Sequence, residues 1–351
     1  MTRSRRPRRL PRRALAAVAC AVALLALTAG QPGAAARFTS VTGNPAGAWA
    51  TDGVAAPTGF SAAPTCVTTA ITFRAATTAT GTGTLTLTVP PGTVPGDLLL
   101  VHIAHAWTGA PFSVPAGWTS VRADNSANTI VSTLYWKKAV TGEPSATFGF
   151  PVGNTATMAG AMAAYTGADT TAPVDAHDGV VSTGPTASTP AVTTATAGTL
   201  VLRFVSNAHE SYPAPAATTQ RWRVGTVPGL GGYSAGDEQV AGAGPVASRS
   251  SASPSGTSAA SVAQTLALRR APGTPAAALT WTASPSTWAT GYRLERSSGG
   301  TTQPLRSITP IGTTSATEGP LVTGTAYTFR LWAYRGTWTS TPVTASVTAA
   351  C

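Results

Sequence analysis

The 351-residue chain carries 23 Lys and Arg against 12 Asp and Glu, a formal net charge of +11, yet only 10% of it is charged, against ~25% in an average soluble protein. Seven of the 23 basic residues fall in the first thirteen positions, which leaves 16 against 12 elsewhere; these are scattered, so the clustered basic footprint of a nucleic-acid-binding protein is missing. Gly and Pro make up 64 of the 351 residues, below the ~25–30% that marks low-complexity disorder, and the length suffices for two cores.

The arginine-rich start is followed by an apolar run from Ala14 to Ala29 and by Ala34-Ala35-Ala36. These are the n-region, h-region and small-residue cleavage site of a secretory signal peptide over residues 1–36. The run is shorter than the ~20 residues that a bilayer span requires, so an extracellular chain without a stable membrane span after cleavage is expected. Arg5-Arg6 suits a twin-arginine signal, but Arg8 stands where that motif prefers an aromatic, and ordinary export is the expected route. Residues 37–55 form a Gly/Thr-rich leader with two aromatics, Phe38 and Trp49. Its Phe-Thr start resembles the mature N-termini of camelysin-like secreted matrix proteins.

Beyond the leader no sustained 3.6-residue spacing occurs, whereas period-two alternation and short apolar runs bounded by Gly and Pro recur. The expected fold class is all-β. Candidate strands after Ala56–Cys66 are Gly83–Val89, Asp97–Ala104, Thr129–Lys137, Ala146–Phe150, Thr157–Tyr165, Thr199–Ser206, Gln220–Val224, Ala235–Val240 and Ser261–Leu268. The run Leu98-Leu99-Leu100-Val101-His102-Ile103 is apolar on both faces, as a central strand covered on both sides would be. The phrases VPGDLLLV, PAGWTSV, YWKKAV, AAYTGADTTAPVDA and TLVLRFV resemble an uncharacterised jelly-roll-like module of secreted bacterial proteins. That resemblance, over residues 67–271, implies a β-sandwich and a bacterial, extracellular setting, and no activity.

The C-terminal segments LTWTASPSTWATGYRLERS, from Leu279, and TAYTFRLWAYRGTWTSTPVTASVTAAC resemble strands B, C, F and G of a fibronectin type III domain. Leu279 and Trp281, Tyr292 and Leu294, and Tyr327, Phe329, Leu331 and Ala333 fall at i, i+2 spacing on one side of their strands. They match the family's inward positions. Too few residues precede Leu279 for the family's first strand, and an unpaired edge would expose part of the core. APTGFSAAPTC, residues 56–66, supplies the missing strand A. The expected architecture is therefore two β-sandwiches, with the large jelly-roll-like module of residues 67–271 inserted between strand A and the remainder, residues 272–351. In the family, strands A and G run side by side in the same direction, which implies a Cys66–Cys351 disulfide. Two cysteines left after signal cleavage in an oxidising compartment favour the same pairing.

Several patterns touch on chemistry. Gly232-Tyr233-Ser234-Ala235-Gly236 matches G-x-S-x-G, but no helix follows and all four histidines precede the serine, against the order of the α/β-hydrolase triad. His102 and His105 are three apart on a strand and point to opposite faces. Asp175 and Asp178 leave two readings: a loop calcium site with backbone carbonyls, or a solvated turn closing a strand. Asp237 and Glu238 face opposite sides, though either could pair with Glu143 or Glu210 across a cleft. No catalytic residue, metal or cofactor is expected from these patterns.

On strand F, Arg330, Trp332 and Tyr334 alternate with the core set and face outward, beside Arg293 and Glu295 of strand C. Such a face serves sugar stacking or a protein contact; the structural reading is arginines stacked on Trp332 and Tyr334, or cover by the leader's Phe38 or Trp49. Arg293, Arg330, Trp332 and Tyr334 are the candidate binding residues. The expectation is a secreted non-catalytic cell-envelope or matrix protein, acting in adhesion, spacing or glycan binding. Its partners would be cell-wall or extracellular polysaccharide, or surface proteins. No LPxTG-type anchor or C-terminal apolar tail occurs, so attachment is expected to be non-covalent. Because fibronectin type III modules accompany bacterial polysaccharide-degrading enzymes, a glycosidase or its accessory module is the alternative.

Overall fold

The computed structural model describes residues 53–351. The expected signal peptide and nearly all of the leader, with Phe38 and Trp49, lie outside the described residues. Among the described residues no helix is long and apolar enough to cross a membrane.

The chain is all-β. Strand β1 (Thr58–Val67) comes first, followed by β2 (Thr72–Thr82), β3 (Thr84–Leu87), β4 (Leu98–Ala106), β5 (Thr119–Ser126), β6 (Ile130–Lys138), β7 (Ala146–Gly149) and β8 (Thr157–Thr166). Strands β2-β8-β4-β6-β5 form, in that order, a five-stranded antiparallel sheet, and β3 pairs with β7. The next nine are β9 (Val174–Ser182), β10 (Thr186–Thr189), β11 (Val192–Thr194), β12 (Thr199–Asn207), β13 (Thr219–Val227), β14 (Gly231–Val240), β15 (Gly244–Val246), β16 (Arg249–Ala252) and β17 (Ser261–Leu268). They build a second five-stranded sheet, β9-β17-β12-β14-β13, with β10 paired to β16 and β11 to β15. The two sheets have the same strand order, drawn from successive stretches of chain. Even the irregularity between Ser120 and Arg122 in β5 recurs between Gln220 and Trp222 in β13. The larger sandwich is thus a structural duplication.

Burial explains the layers. In β4, Leu98, Leu100 and Ala104 face the second sheet, where they meet a core that includes Leu202, Phe204, Trp222 and Leu266. Leu99, Val101 and Ile103 face the other way, under Leu85, Leu87 and Phe148 of the β3/β7 pair. Both faces are covered, so the strand reads as a continuous apolar run. The second sheet is covered on its outer side by β10 and β11, through Ala187 against Val205 and Val192 against Val201. The small outer layer sits close: a Cβ built on Gly160 of β8 would lie 2.6 Å from Leu85 Cδ2 and 3.1 Å from Ile103 Cγ1. Gly160→Ala is therefore expected to lower the urea midpoint by the equivalent of about 1–3 kcal/mol, the usual cost of overpacking. An unchanged midpoint would mean that the β3/β7 pair yields freely.

Each strand expected from alternation is present, and three long ones arise where none was expected. Strands β2, β5 and β9 are sheet edges, rich in Thr, Ala, charge and Gly because one side faces solvent, so their alternation is weak. The Asp175–Gly179 segment, read as a calcium loop or a closing turn, lies inside β9. Its Asp175 carboxylate accepts from Ala195 N at 2.7 Å and Thr196 Oγ1 at 2.9 Å, and pairs with Arg269 at 3.5 Å.

The remaining strands are β18 (Thr274–Thr282), β19 (Gly291–Ser298), β20 (Thr301–Thr302), β21 (Arg306–Ile308), β22 (Ser315–Glu318), β23 (Ala326–Arg335), β24 (Trp338–Thr339) and β25 (Val343–Thr348). β1 pairs antiparallel with β18, and β18 with β22. Opposite them lies a sheet centred on β19 and β23, with β20 and β21 on β19 and β24 and β25 on β23. Leu279, Trp281, Tyr292, Leu294, Tyr327, Phe329, Leu331 and Ala333 all face the space between and form one core. Tyr292 is tied in by its hydroxyl, which accepts from Ser284 N and donates to Ile311 O, each at 2.8 Å.

β1 lies alongside β25, as the expected strands A and G should. Cys66 and Cys351 are bonded there, with Cα atoms 5.4 Å apart. The register puts Val67 opposite Thr274, so the duplicated sandwich leaves and rejoins the smaller one at facing residues.

Candidate functional site

The register of β19 on β23 sets Arg293 opposite Trp332, Glu295 opposite Arg330 and Gly291 opposite Tyr334. Since the intervening residues of β23 fill the core, Arg330, Trp332 and Tyr334 must point outward. Arg293, Arg330 and Trp332, with Thr339, Ser340 and Pro342, line a groove of about 270 Å³. Three of the four candidate residues therefore share one depression. The fourth, Tyr334, supports it: the Arg293 guanidinium lies 4.7 Å from the Tyr334 ring centroid and donates to Gly336 O at 3.2 Å. Arg330 donates to Glu295 at 3.2 Å. The stacking expected on structural grounds thus forms on Tyr334, whereas among the described residues no arginine stacks on Trp332.

Residues 272–351 hold five arginines and two glutamates, without Lys or Asp. Glu295 and Glu318 pair with Arg330 and Arg306. The other three arginines lie on aromatic rings: Arg293 on Tyr334, Arg296 on Tyr327 and Arg335 on Trp288. The last pairing belongs to a group that the alternation argument missed. Trp288 and Trp338 meet edge to face at 6.4 Å and remain 37% and 63% exposed. Their signal in the sequence was a tryptophan two residues past the Arg335-Gly336 turn, a place where packing alone does not call for one.

The remaining chemical candidates are engaged locally. Ser234 of the G-x-S-x-G match is fully buried within β14 and donates to Pro213 O at 3.1 Å. His102 and His105 do face opposite sides of β4. The His102 ring packs on Phe204, Trp222 and Tyr233 between the two sheets, with Nε2 2.9 Å from Ser132 Oγ and 3.1 Å from Ser206 Oγ. Burial pulls its pKa down to about 3, so it is neutral. Phe204 occupies the corresponding place in the second half: it stands between Ala235 and Gln264 as His102 stands between Leu134 and Ala161. His105 stacks on Phe112 at 5.0 Å beneath the outer layer. Among the described residues no group of three His, Cys, Asp or Glu could hold a metal ion.

The carboxylates named for a glycosidase pair each have partners of their own. Asp237 binds Arg221 at 2.8 Å, Glu143 binds Lys137 at 2.5 Å, and Glu238 binds Arg203 at 2.9 Å and Arg249 at 2.7 Å. Glu210 accepts from the Ser253 and Ser255 hydroxyls beside a hollow of about 310 Å³ that Ser211, Arg223, Gly225 and Pro254 also line. Burial works to raise the pKa of Glu238, but the Arg249 and Arg203 hydrogen bonds outweigh it and hold it below the usual range. The hydroxyl of Ser253, with Ser255, lowers that of Glu210. A glycosidase acid requires the opposite shift.

No protein-family model matches this chain, and no curated protein matches it. Among solved structures it is similar to a two-domain fibronectin type III segment of chicken tenascin, at 15% identity and a TM-score of 0.19, over 50% of this chain and 99% of that one.

Proposed function

We propose that this protein is a secreted, non-catalytic component of a bacterial cell envelope or extracellular matrix, and that it adheres to glycan through the groove of the smaller sandwich. The observation that carries this reading is that Arg293, opposite Trp332 on β19, and Arg330, two residues before it on β23, line one solvent-facing groove with it. An indole face stacks on the apolar face of a sugar ring while flanking donors take its hydroxyls. The larger sandwich then acts as a spacer that its facing end residues, Val67 and Thr274, hold on the binding unit.

The test is retention of the purified mature chain on insoluble peptidoglycan, chitin and cellulose. Trp332→Ala, and Tyr334→Ala through the loss of support for Arg293, are expected to weaken retention by about tenfold, the scale of one stacking contact with its pocket. A chain that is retained on no polymer sinks the reading.

A further inference from the structure

We infer that the protein cross-links itself: Ser132 Oγ of β6 attacks the Gln264 carboxamide of β17, with His102 as the base, and a serine–glutamyl ester joins the two sheets of the larger sandwich as ammonia is released. The bond forms once per molecule, and it stands or falls independently of the glycan reading.

The reacting groups are already assembled. Ser132, His102 and Gln264 are all fully buried. The Ser132 hydroxyl donates to Gln264 Oε1 at 3.0 Å and lies 2.9 Å from His102 Nε2, within the ~2.6–3.2 Å reach that a general base requires. Gln264 Nε2 donates to Asp124 Oδ2 at 2.6 Å and to Ser132 O at 3.1 Å, which fixes the plane of the amide. Asp124 is held in turn by Arg122 Nε and Nη2, at 2.6 and 2.7 Å. No outside substrate can reach a serine at this depth. The carboxamide beside it is the acyl group on offer.

The duplication shows that packing does not call for these groups. The strand registers match His102 to Phe204, Ser132 to Tyr233 and Gln264 to Ala161 in the other half. Every matching place holds an apolar or aromatic side chain, so the polar trio belongs to these positions and not to the fold. Exchanging a buried hydrogen-bonded set for apolar groups of the same shape is nearly neutral for stability. Stability alone therefore does not retain it.

The chemistry balances without a further reactant. With the His102 proton on Nδ1, the Nε2 lone pair takes the Ser132 proton as Oγ bonds to Cδ of Gln264. In the tetrahedral intermediate Oγ and the amide nitrogen share one carbon, so the same imidazole returns the proton to nitrogen, as at a serine–histidine acylation centre. The nitrogen gains positive charge beside the Asp124 carboxylate, the C–N bond breaks, and ammonia departs. Burial holds the imidazole neutral, with a pKa of about 3; the free base is present at pH 7, and its weakness makes the step slow. A single turnover tolerates that. Escape of ammonia into solvent, where it is protonated, draws the exchange forward, and exclusion of water from the core protects the ester.

The test is the mass of the reduced mature chain, followed by tryptic mapping. Expected is a mass one ammonia below that of the sequence, with residues 123–137 linked to residues 250–269 and the link cleaved by hydroxylamine, which opens esters and spares amides. Ser132→Ala should show the full mass. His102→Phe, which copies the matching position of the second half, should lower the cross-linked fraction at a fixed time after synthesis by about tenfold or more. Full mass in the unaltered chain overturns the inference. So does an ammonia loss that persists in Ser132→Ala, or a link that resists hydroxylamine. A fraction unchanged in His102→Phe overturns His102 as the base.

Discussion

Acidification from pH 7 to pH 4 is expected to cost the protein about 3 kcal/mol of stability through His102 alone, given a folded pKa of about 3 against 6.5 for an exposed imidazole. The ring is fully buried between the two sheets, among Phe204, Trp222 and Tyr233, where a charge has no water to solvate it. Because the folded pKa is depressed, the unfolded chain takes up the proton first. Stability is therefore full above pH 6.5 and is lost progressively as the pH falls toward 3. His105 adds to the loss with the same sign, since burial lowers its pKa as well, against the opposing bond to Ala106 O. Below about pH 4, Asp124 and Glu238 join in: burial favours their neutral forms, but bonds from Arg122 and Gln264 and from Arg249 and Arg203 leave both pKa values lowered. Urea midpoints at pH 7, 5.5 and 4 check the slope. His102→Gln, which keeps a polar partner for Ser132 and Ser206, should flatten the part between 6.5 and 5; an unchanged slope would show that another group governs it.

Removal of the Cys66–Cys351 bond is expected to cost about 4–5 kcal/mol. The sequence separation is 285 residues, for which the chain-entropy relation gives about 5–6 kcal/mol. The folded insert already holds Val67 against Thr274, which shortens the effective loop to roughly 80 residues and brings the figure down. The loss should fall on the smaller sandwich. Hydrogen exchange after reduction, or in a Cys66→Ala/Cys351→Ala variant, should speed up in β1, β18 and β25 and leave β4 and β12 protected. Uniform loss of protection in both sandwiches would contradict independent cores.

The smaller sandwich was legible because its inner positions are large and regularly spaced: Tyr327, Phe329, Leu331 and Ala333 alternate without interruption, and their outward neighbours follow by geometry. Strand β1 was legible for a different reason, the physical cost of an unpaired β18. What escaped notice is equally physical. Edge strands such as TFRAATTATGT bury little, so their composition is that of a loop. The duplication was hidden because matched positions keep burial rather than identity, as with His102 and Phe204, one polar and one apolar at the same place in each half. Trp288 and Trp338 escaped because β23 was read along its alternation, which ends at the turn. Trp338 stands where the chain reverses.

The disulfide also sets where tension can travel. Val54 packs into the small core, and Ala55 is held by Ser284 and Ser286, at one end of β1; Cys66 is bonded to Cys351 at the other. A pull between Gly53 and Cys351 passes along β1 into the sulfur bridge and leaves at Cys351. Everything from Val67 to Ala350, the duplicated sandwich included, hangs beside that covalent line and bears none of the load. While the bond is oxidised the strands after β1 cannot be unravelled by drag on those two points; once it is reduced, the same force runs through every strand in turn.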